Sequence, residues 1–236
     1  MRFGVVRFPG SNCEQDVVHA VQHLGMEAGY IWHGDTDLAG YDAIVLPGGF
    51  SYGDYIRCGA VARFSPVMAE VVRFAESGGP VIGICNGFQI LTEAHLLPGA
   101  LLRNTGLKFV CKPATLRVEE SVCQWLDLPV GTVVSVPVNH NEGNFICDEA
   151  TLERLRGNGQ VVLRYCESDG TTAEGGSAPN GALDDIAGIC NERGNVFGLM
   201  PHPERVVDPM SGGTDGQAFF TAIAQRLVNA GRSPAR

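Results

Sequence analysis

A chain of 236 residues that is 44% hydrophobic carries apolar material for one substantial core, at the upper end of what a single α/β domain holds. Its net charge of −9, from 17 basic against 26 acidic residues, and the lack of any Lys/Arg-rich run argue against a nucleic-acid partner, whose affinity would rest on cationic contacts. The eight cysteines include no CxxC pair in a chain too long for a disulfide scaffold, so reduced thiols are expected.

No apolar run approaches the ~18 residues of a membrane span. The opening MRFGVVRFPGSN has too short an apolar stretch for a signal peptide, so a soluble, cytoplasmic protein is expected, away from membranes. In chain order, FGVVRF (3 to 8) reads as a strand. SNCEQDVVHAVQHLG reads as a helix opened by Ser11 and Asn12 as caps, apolar at Val17, Val18, Val21 and Leu24, and closed at Gly25. AGYIWH and YDAIVLPGG are strands, the second turning sharply at Pro47-Gly48-Gly49. SPVMAEVVRFAESGG is a helix with Pro66 in its first turn, PVIGIC a short apolar strand, and NGFQILTEAHLL a helix.

After Pro98 the pattern changes. ALLRN, LKFVCKPATLRVEE, TVVSVPVNH and GNFIC read as strands without long helices between them, an antiparallel extension or strand-rich insertion. QVVLRYCES, DIAGICNE and VFGLM complete the sheet, 171 to 182 is a loop, and DGQAFFTAIAQRLVNAG is a closing amphipathic helix. Strands alternating with helices predict a doubly wound, three-layer α/β/α fold with a mostly parallel sheet. Ligands of such sheets sit at the carboxyl ends of strands. The ends to inspect are Phe8 to Asn12, Pro47 to Asp54, Cys85 and the residues after Met200.

GICNG (83 to 87) has the form of a nucleophile elbow, a strand-to-helix turn whose flanking glycines remove colliding β-carbons. A cysteine there sits at a helix N-terminus, which favours a thiolate. The pattern alone also fits any strand-turn-helix with a core cysteine. In LMPHPER, Pro201 and Pro203 forbid helix, which predicts an extended segment with His202 and Glu204 on one side. Glu204 would then orient the imidazole of His202, leaving its other nitrogen to act on Cys85 as base and then acid. The plainer alternative is a histidine at a strand end beside a solvated glutamate. In LPGGFSYGD, the backbone N–H of Gly49 with that of Asn86 would form an oxyanion hole, or the stretch is a plain glycine turn.

No GxxxxGK[ST] supports a P-loop for ATP, and no HExxH or paired Cys/His spacing supports zinc. No metal is expected; His19 and His23, four apart on the first helix, read as ordinary helix residues.

With Cys85, His202 and Glu204 identified, the chain resembles the class I, or triad, glutamine amidotransferases, and within them the small-subunit glutaminases of phosphoribosylformylglycinamidine synthase. The likeness runs through RFPGSNCEQD (7 to 16), LPGGFSYGDYIRCGA (46 to 60), GICNGFQIL (83 to 91), residues 104 to 109, HNEGNF (140 to 145) and PNGALDDIAGICNERGNVFGLMPHPER (179 to 205). It implies a flavodoxin-like amidotransferase domain over residues 2 to 232. It also implies that Cys85 attacks the side-chain amide of L-glutamine, His202 shuttles the proton and Glu204 orients it, and that water resolves a γ-glutamyl thioester to glutamate. Gln89 would help hold the substrate amide, and Asn139, His140 and Asn141 the amino-acid end. The ammonia would pass to a large synthetase subunit that amidates formylglycinamide ribonucleotide, with a small accessory subunit completing the complex. ATP and magnesium would serve that partner, with no cofactor on this chain.

The sequence departs from the pattern at Ala182, where serine is expected after Pro-Asn-Gly, and at Asn139 and Asn141, where smaller residues are common. Rival readings are an amidotransferase for another synthetase, a free γ-glutamyl hydrolase and a non-catalytic scaffold subunit. The complete triad argues against the scaffold, and the specific partner-facing motifs against the free hydrolase.

Overall fold

The computed structural model describes residues 1–231. Residue 232, the expected end of the domain, lies outside them. Five strands form the parallel half of a nine-stranded sheet: β1 (Arg2–Arg7), β2 (Glu27–Trp32), β3 (Ala43–Leu46), β4 (Val81–Ile84) and β11 (Val196–Leu199), in the order β2-β1-β3-β4-β11. β3, β4 and β11 are buried at every residue, as expected for apolar runs covered on both faces. Beyond β11 the sheet continues antiparallel through β10 (Ile186–Cys190), β9 (Val161–Tyr165), β6 (Val110–Val118) and β7 (Val133–His140). β7 alternates buried and less buried residues, the mark of one covered face.

The helices are α1 (Glu14–His23), α2 (Pro66–Glu76), α3 (Asn86–Glu93), α4 (Glu149–Gly157) and α5 (Ala218–Gly231). Two adjacent residues of β11 show that they cover both faces. Phe197 stacks on Phe219 of α5, with ring centroids 6.4 Å apart. Gly198, pointing the other way, leaves room for Phe88 of α3, whose ring would lie 2.2 Å from any β-carbon added there. Among the described residues, no helix is long and apolar enough to cross a membrane.

Four sequence expectations need correction. Ser11 and Asn12 do not cap α1: its N-cap is Cys13, with no side-chain cap, and Ser11 instead bridges to Gly49. ALLRN and GNFIC supply β5 (Ala100–Leu102) and β8 (Asn144–Ile146), which leave the main sheet and, among the described residues, pair with each other alone. α4 was not expected, because of its nine residues only Leu155 is fully buried; the readable signal was Asp148, whose carboxylate accepts from Thr151 N–H as a cap. Finally, Pro203–Arg205 is not extended but a single 3₁₀ turn, with Pro203 in the first-turn position where its missing N–H costs nothing.

This topology gathers the carboxyl ends of β1, β3, β4 and β11 at one edge. The segment after β11 is tied to the antiparallel half by His202 N–H donating to Pro137 O of β7, at 2.8 Å.

Candidate active site

Cys85 joins β4 to α3 with φ 52° and ψ −105°, a backbone conformation that a residue with a β-carbon adopts only under strain. Its N–H is fixed by Leu199 O at 2.8 Å. The flanking glycines are sterically required. A β-carbon on Gly87 would lie 1.9 Å from Leu46 O, and one on Gly83 2.5 Å from Gly87 O. The elbow is thus a packed junction of β3, β4 and α3, with the thiol at the helix N-terminus.

His202 and Glu204 reach this junction from the end of β11. Glu204 Oε1 lies 2.6 Å from His202 Nδ1, and both side chains are sealed from solvent. The carboxylate fixes the proton on Nδ1, and Nε2 is left without a hydrogen-bond partner in the protein among the described residues. Burial opposes charge on the imidazole, but the charges of Glu204 and Cys85 outweigh it and push His202 up to about 10. Gly48 keeps base and nucleophile adjacent: a β-carbon there would sit 2.7 Å from His202 Cε1 and 3.5 Å from Cys85 Cβ. A thiol beside an imidazole whose positive form is favoured, with a carboxylate behind it, is equipped to lose its proton and attack a carbonyl carbon.

Gly49 and Asn86 flank the same point. Asn86 opens α3, so its N–H has no intrahelical acceptor, and Gly49 (φ 136°) lies on the β3 loop just before two anchored residues. On one side Phe50 N–H donates to Gly10 O at 3.1 Å; on the other Ser51 N–H donates to Asn86 Oδ1, also at 3.1 Å.

The fourth wall is the end of β7. Cys85 Sγ approaches Asn139 O at 3.8 Å, and Asn141 O accepts from Asn104 N–H at 2.9 Å. His140 is buried, and Asn180 Nδ2 lies 3.0 Å from its Nε2. Because Asn180 Oδ1 is taken by Ala182 N–H, the amide must donate to that nitrogen, so His140 is neutral with its proton on Nδ1. Burial first, and then the neighbouring charge of His202, hold it down at about 3. Gln89 also lines the cleft, but its amide is engaged within the protein: Nε2 donates to Glu142 O at 2.5 Å and Oε1 accepts from Asn86 Nδ2 at 2.9 Å.

Gly49, Cys85, Gln89, Asn139, His140, Asn141 and His202 line a cleft of about 240 Å³ that also touches Asn12, Cys13, Asp54, Cys58 and Glu142. It has the volume of a small polar metabolite, and the Cys85 thiol borders it beside His202. The model of the CobB/CobQ-like glutamine amidotransferase domain matches residues 1–218. The chain belongs to that family.

Relatives within the family agree over nearly the whole length. The phosphoribosylformylglycinamidine synthase subunits PurQ of Rubrobacter xylanophilus and Gloeobacter violaceus are 54% and 55% identical, each over 94% of this chain and 97% of their own. The PurLQS structure from Thermotoga maritima contains a chain 42% identical, with a TM-score of 0.84 over 96% of this chain and 98% of that one. A glutamine amidotransferase of the same organism, 16% identical with a TM-score of 0.54 over 99% of this chain and 86% of that one, shares the fold.

Every residue expected at the amidotransferase site, Cys85, His202, Glu204, Gly49, Asn86, Gln89, Asn139, His140 and Asn141, lies at this cleft or in its walls. Sequence reasoning did not single out Asn104, Asn180 or Tyr165, which form the buried support beneath His140: Asn104 Nδ2 donates to His140 O at 3.0 Å, and Asn180 Nδ2 to Tyr165 OH at 3.2 Å. It also missed Cys58, whose thiol donates to Glu142 at 2.8 Å on the cleft wall. The signal available was the presence of Asn104 and Asn180 in the stretches that carry the likeness. Ala182, where serine is expected, is buried and needs only its backbone N–H for this support. Away from the cleft, His19 Nε2 lies 3.6 Å from Asp208 at the surface.

Proposed function

We propose that this chain is the glutaminase subunit of phosphoribosylformylglycinamidine synthase. It hydrolyses L-glutamine to glutamate and passes the ammonia to a large synthetase subunit, which makes formylglycinamidine ribonucleotide from formylglycinamide ribonucleotide. The observation that carries the reaction is the His202–Glu204 pair at 2.6 Å, with Nε2 left open beside Cys85 in the same cleft. Near-full-length identity of 52–55% to PurQ subunits carries the choice of synthetase.

In this reading Cys85 attacks the γ-carboxamide carbon as His202 takes the thiol proton. The resulting oxyanion is met by the N–H groups of Gly49 and Asn86. His202 returns the proton to the leaving nitrogen, ammonia departs, and the same imidazole then deprotonates the water that opens the thioester. Asn139, His140 and Asn141 hold the amino-acid end, and Gln89 braces the wall they belong to. The Nδ1–H of His140, buried and without a partner among the described residues, supplies one donor at that wall. ATP and magnesium are assigned to the synthetase subunit, whose ligase reaction they drive; a small accessory subunit completes the assembly, which works in the cytoplasm.

The test is the Cys85→Ala chain assembled with its synthetase partner. Glutamine-dependent synthesis is lost and ammonia-dependent synthesis is retained. Surviving glutamine-dependent synthesis would remove Cys85 as nucleophile, and strong hydrolysis of γ-glutamyl peptides by the isolated chain would overturn the assignment.

A further inference from the structure

Asn86 is 1% exposed, and its side-chain amide is used at both ends. Oδ1 accepts from Ser51 N–H at 3.1 Å; Nδ2 donates to Asp54 Oδ1 at 3.2 Å and to Gln89 Oε1 at 2.9 Å. Ser51 and Asp54 belong to the β3 loop, whose backbone runs through positive φ at Gly49 (136°), Tyr52 (53°), Gly53 (70°) and Asp54 (54°). Such a path holds its shape only where surrounding contacts over-determine it. The far side of the loop is bound by Gly10 O and Pro9 O, which accept from Phe50 N–H and Tyr52 N–H at 3.1 and 2.6 Å. On the near side, the Asn86 amide bridges the loop to the nucleophile elbow.

We propose that the side chain of Asn86 is a positioning residue for the reaction: it registers the β3 loop on the elbow and so sets the Gly49 N–H toward the oxyanion. The proposal rests on the glutaminase reading above. The backbone N–H of residue 86 is one oxyanion donor, and its amide fixes the loop that carries the other. Through Gln89, whose Nε2 donates to Glu142 O, the same amide is linked to the turn after β7, at the opposite wall of the cleft.

The chemistry of an amide suits this position. It offers an acceptor to a backbone N–H and a donor to a carboxylate at the same time. An aspartate would set a second negative charge against Asp54. An alanine would leave the buried Ser51 N–H without an acceptor. Neither change removes the backbone N–H at position 86, so any loss reports the side chain alone.

The experiment compares wild type, Asn86→Ala and Asp54→Ala in the assembled synthase, by glutamine turnover and by alkylation of Cys85 with iodoacetamide. Alkylation is a direct displacement that forms no oxyanion; glutamine hydrolysis passes through two tetrahedral intermediates. In Asn86→Ala, kcat falls roughly 10- to 100-fold, less than the ~10²–10³ lost when an oxyanion donor is removed outright, while the alkylation rate of Cys85 is unchanged. Asp54→Ala lowers kcat in the same direction by a smaller factor, again without changing alkylation. Because Asp54 lies on the partly exposed loop and not in the buried elbow, this second variant decides the matter if Asn86→Ala does not fold. A wild-type kcat in the folded variants overturns the proposal. So does a parallel fall in alkylation, which would mean that the amide merely holds the elbow together. A wild-type assembly that turns over no glutamine would instead sink the glutaminase reading, and this proposal with it.

Discussion

His202 Nδ1 and Glu204 Oε1 lie 2.6 Å apart, in a buried turn where a single proline separates the two residues. The 3₁₀ turn at Pro203–Arg205 aims the carboxylate at the imidazole, and packing against α1 keeps it there: Arg205 pairs with Asp16 at 3.4 Å and donates to Cys13 Sγ at 3.2 Å. Replacing Glu204 with Gln keeps the shape and removes the charge that stabilises the imidazolium. In the assembled synthase, kcat for glutamine falls by up to about 10⁴-fold, the scale of loss when a triad carboxylate is neutralised. KM changes little, and ammonia-dependent synthesis is untouched. Ammonia release from glutamine at wild-type rate would show that Glu204 does not serve His202.

The elbow glycines make a prediction about stability. In Gly87→Ala, the new methyl would meet Leu46 O at 1.9 Å, a backbone atom that cannot rotate away. α3 must then shift off β3, at a cost of about 1–3 kcal/mol. The midpoint of urea unfolding moves down and glutamine turnover drops with it. An unchanged midpoint would refute the close packing of α3 on β3.

His140 gives a pH dependence with a defined sign. Its imidazole is held at about 3 in the folded chain, against an ordinary value of 6.5. Between these values the unfolded chain binds the proton and the folded chain does not, so this residue's contribution to stability falls as pH drops from 6.5 toward 3. Other groups also titrate in this window, so the measurement is a difference: urea unfolding of wild type and His140→Gln at several pH values. The variant shows the shallower loss of stability on acidification; equal slopes would mean that His140 is not held neutral.

Thiol labelling separates Cys85 from its neighbour. Cys13 borders the same cleft, but burial, together with the charge of Glu204, pushes its thiol up to about 12. Cys58 is pushed up as well, by burial and by its bond to Glu142. Peptide mapping after brief iodoacetamide treatment near neutral pH finds label on Cys85 and on the exposed Cys111, with Cys13 and Cys58 spared. Glutamine protects Cys85 alone. Label on Cys13 that glutamine blocks would move the nucleophile to the wrong cysteine.

Much of the site was legible because its signals are local. GICNG states a strand, a strained turn and a helix within a few residues, and the structure places Cys85 at φ 52° between β4 and α3. The prolines around His202 marked an irregular segment correctly but misled about its shape, since Pro203 is as acceptable at the start of a 3₁₀ turn as in an extended chain. α4 was invisible to hydrophobic periodicity because one buried leucine is too thin a stripe. β5 and β8 read correctly as strands, yet nothing in their residues said that they would pair with each other and leave the main sheet.

By itself, the sequence determined the alternation of apolar strands and amphipathic helices, the cysteine elbow and the His-Pro-Glu pair, because each depends on neighbours a few positions away. Tertiary structure alone decided how those pieces meet. The loop after β3 lies against the elbow through Ser51 and Asn86, 35 positions apart, and His140 takes its tautomer from Asn180, 40 positions on. Hydrogen-bond partners so far apart are chosen by which strand ends the sheet order brings to one edge, and that order is a property of the whole packed core.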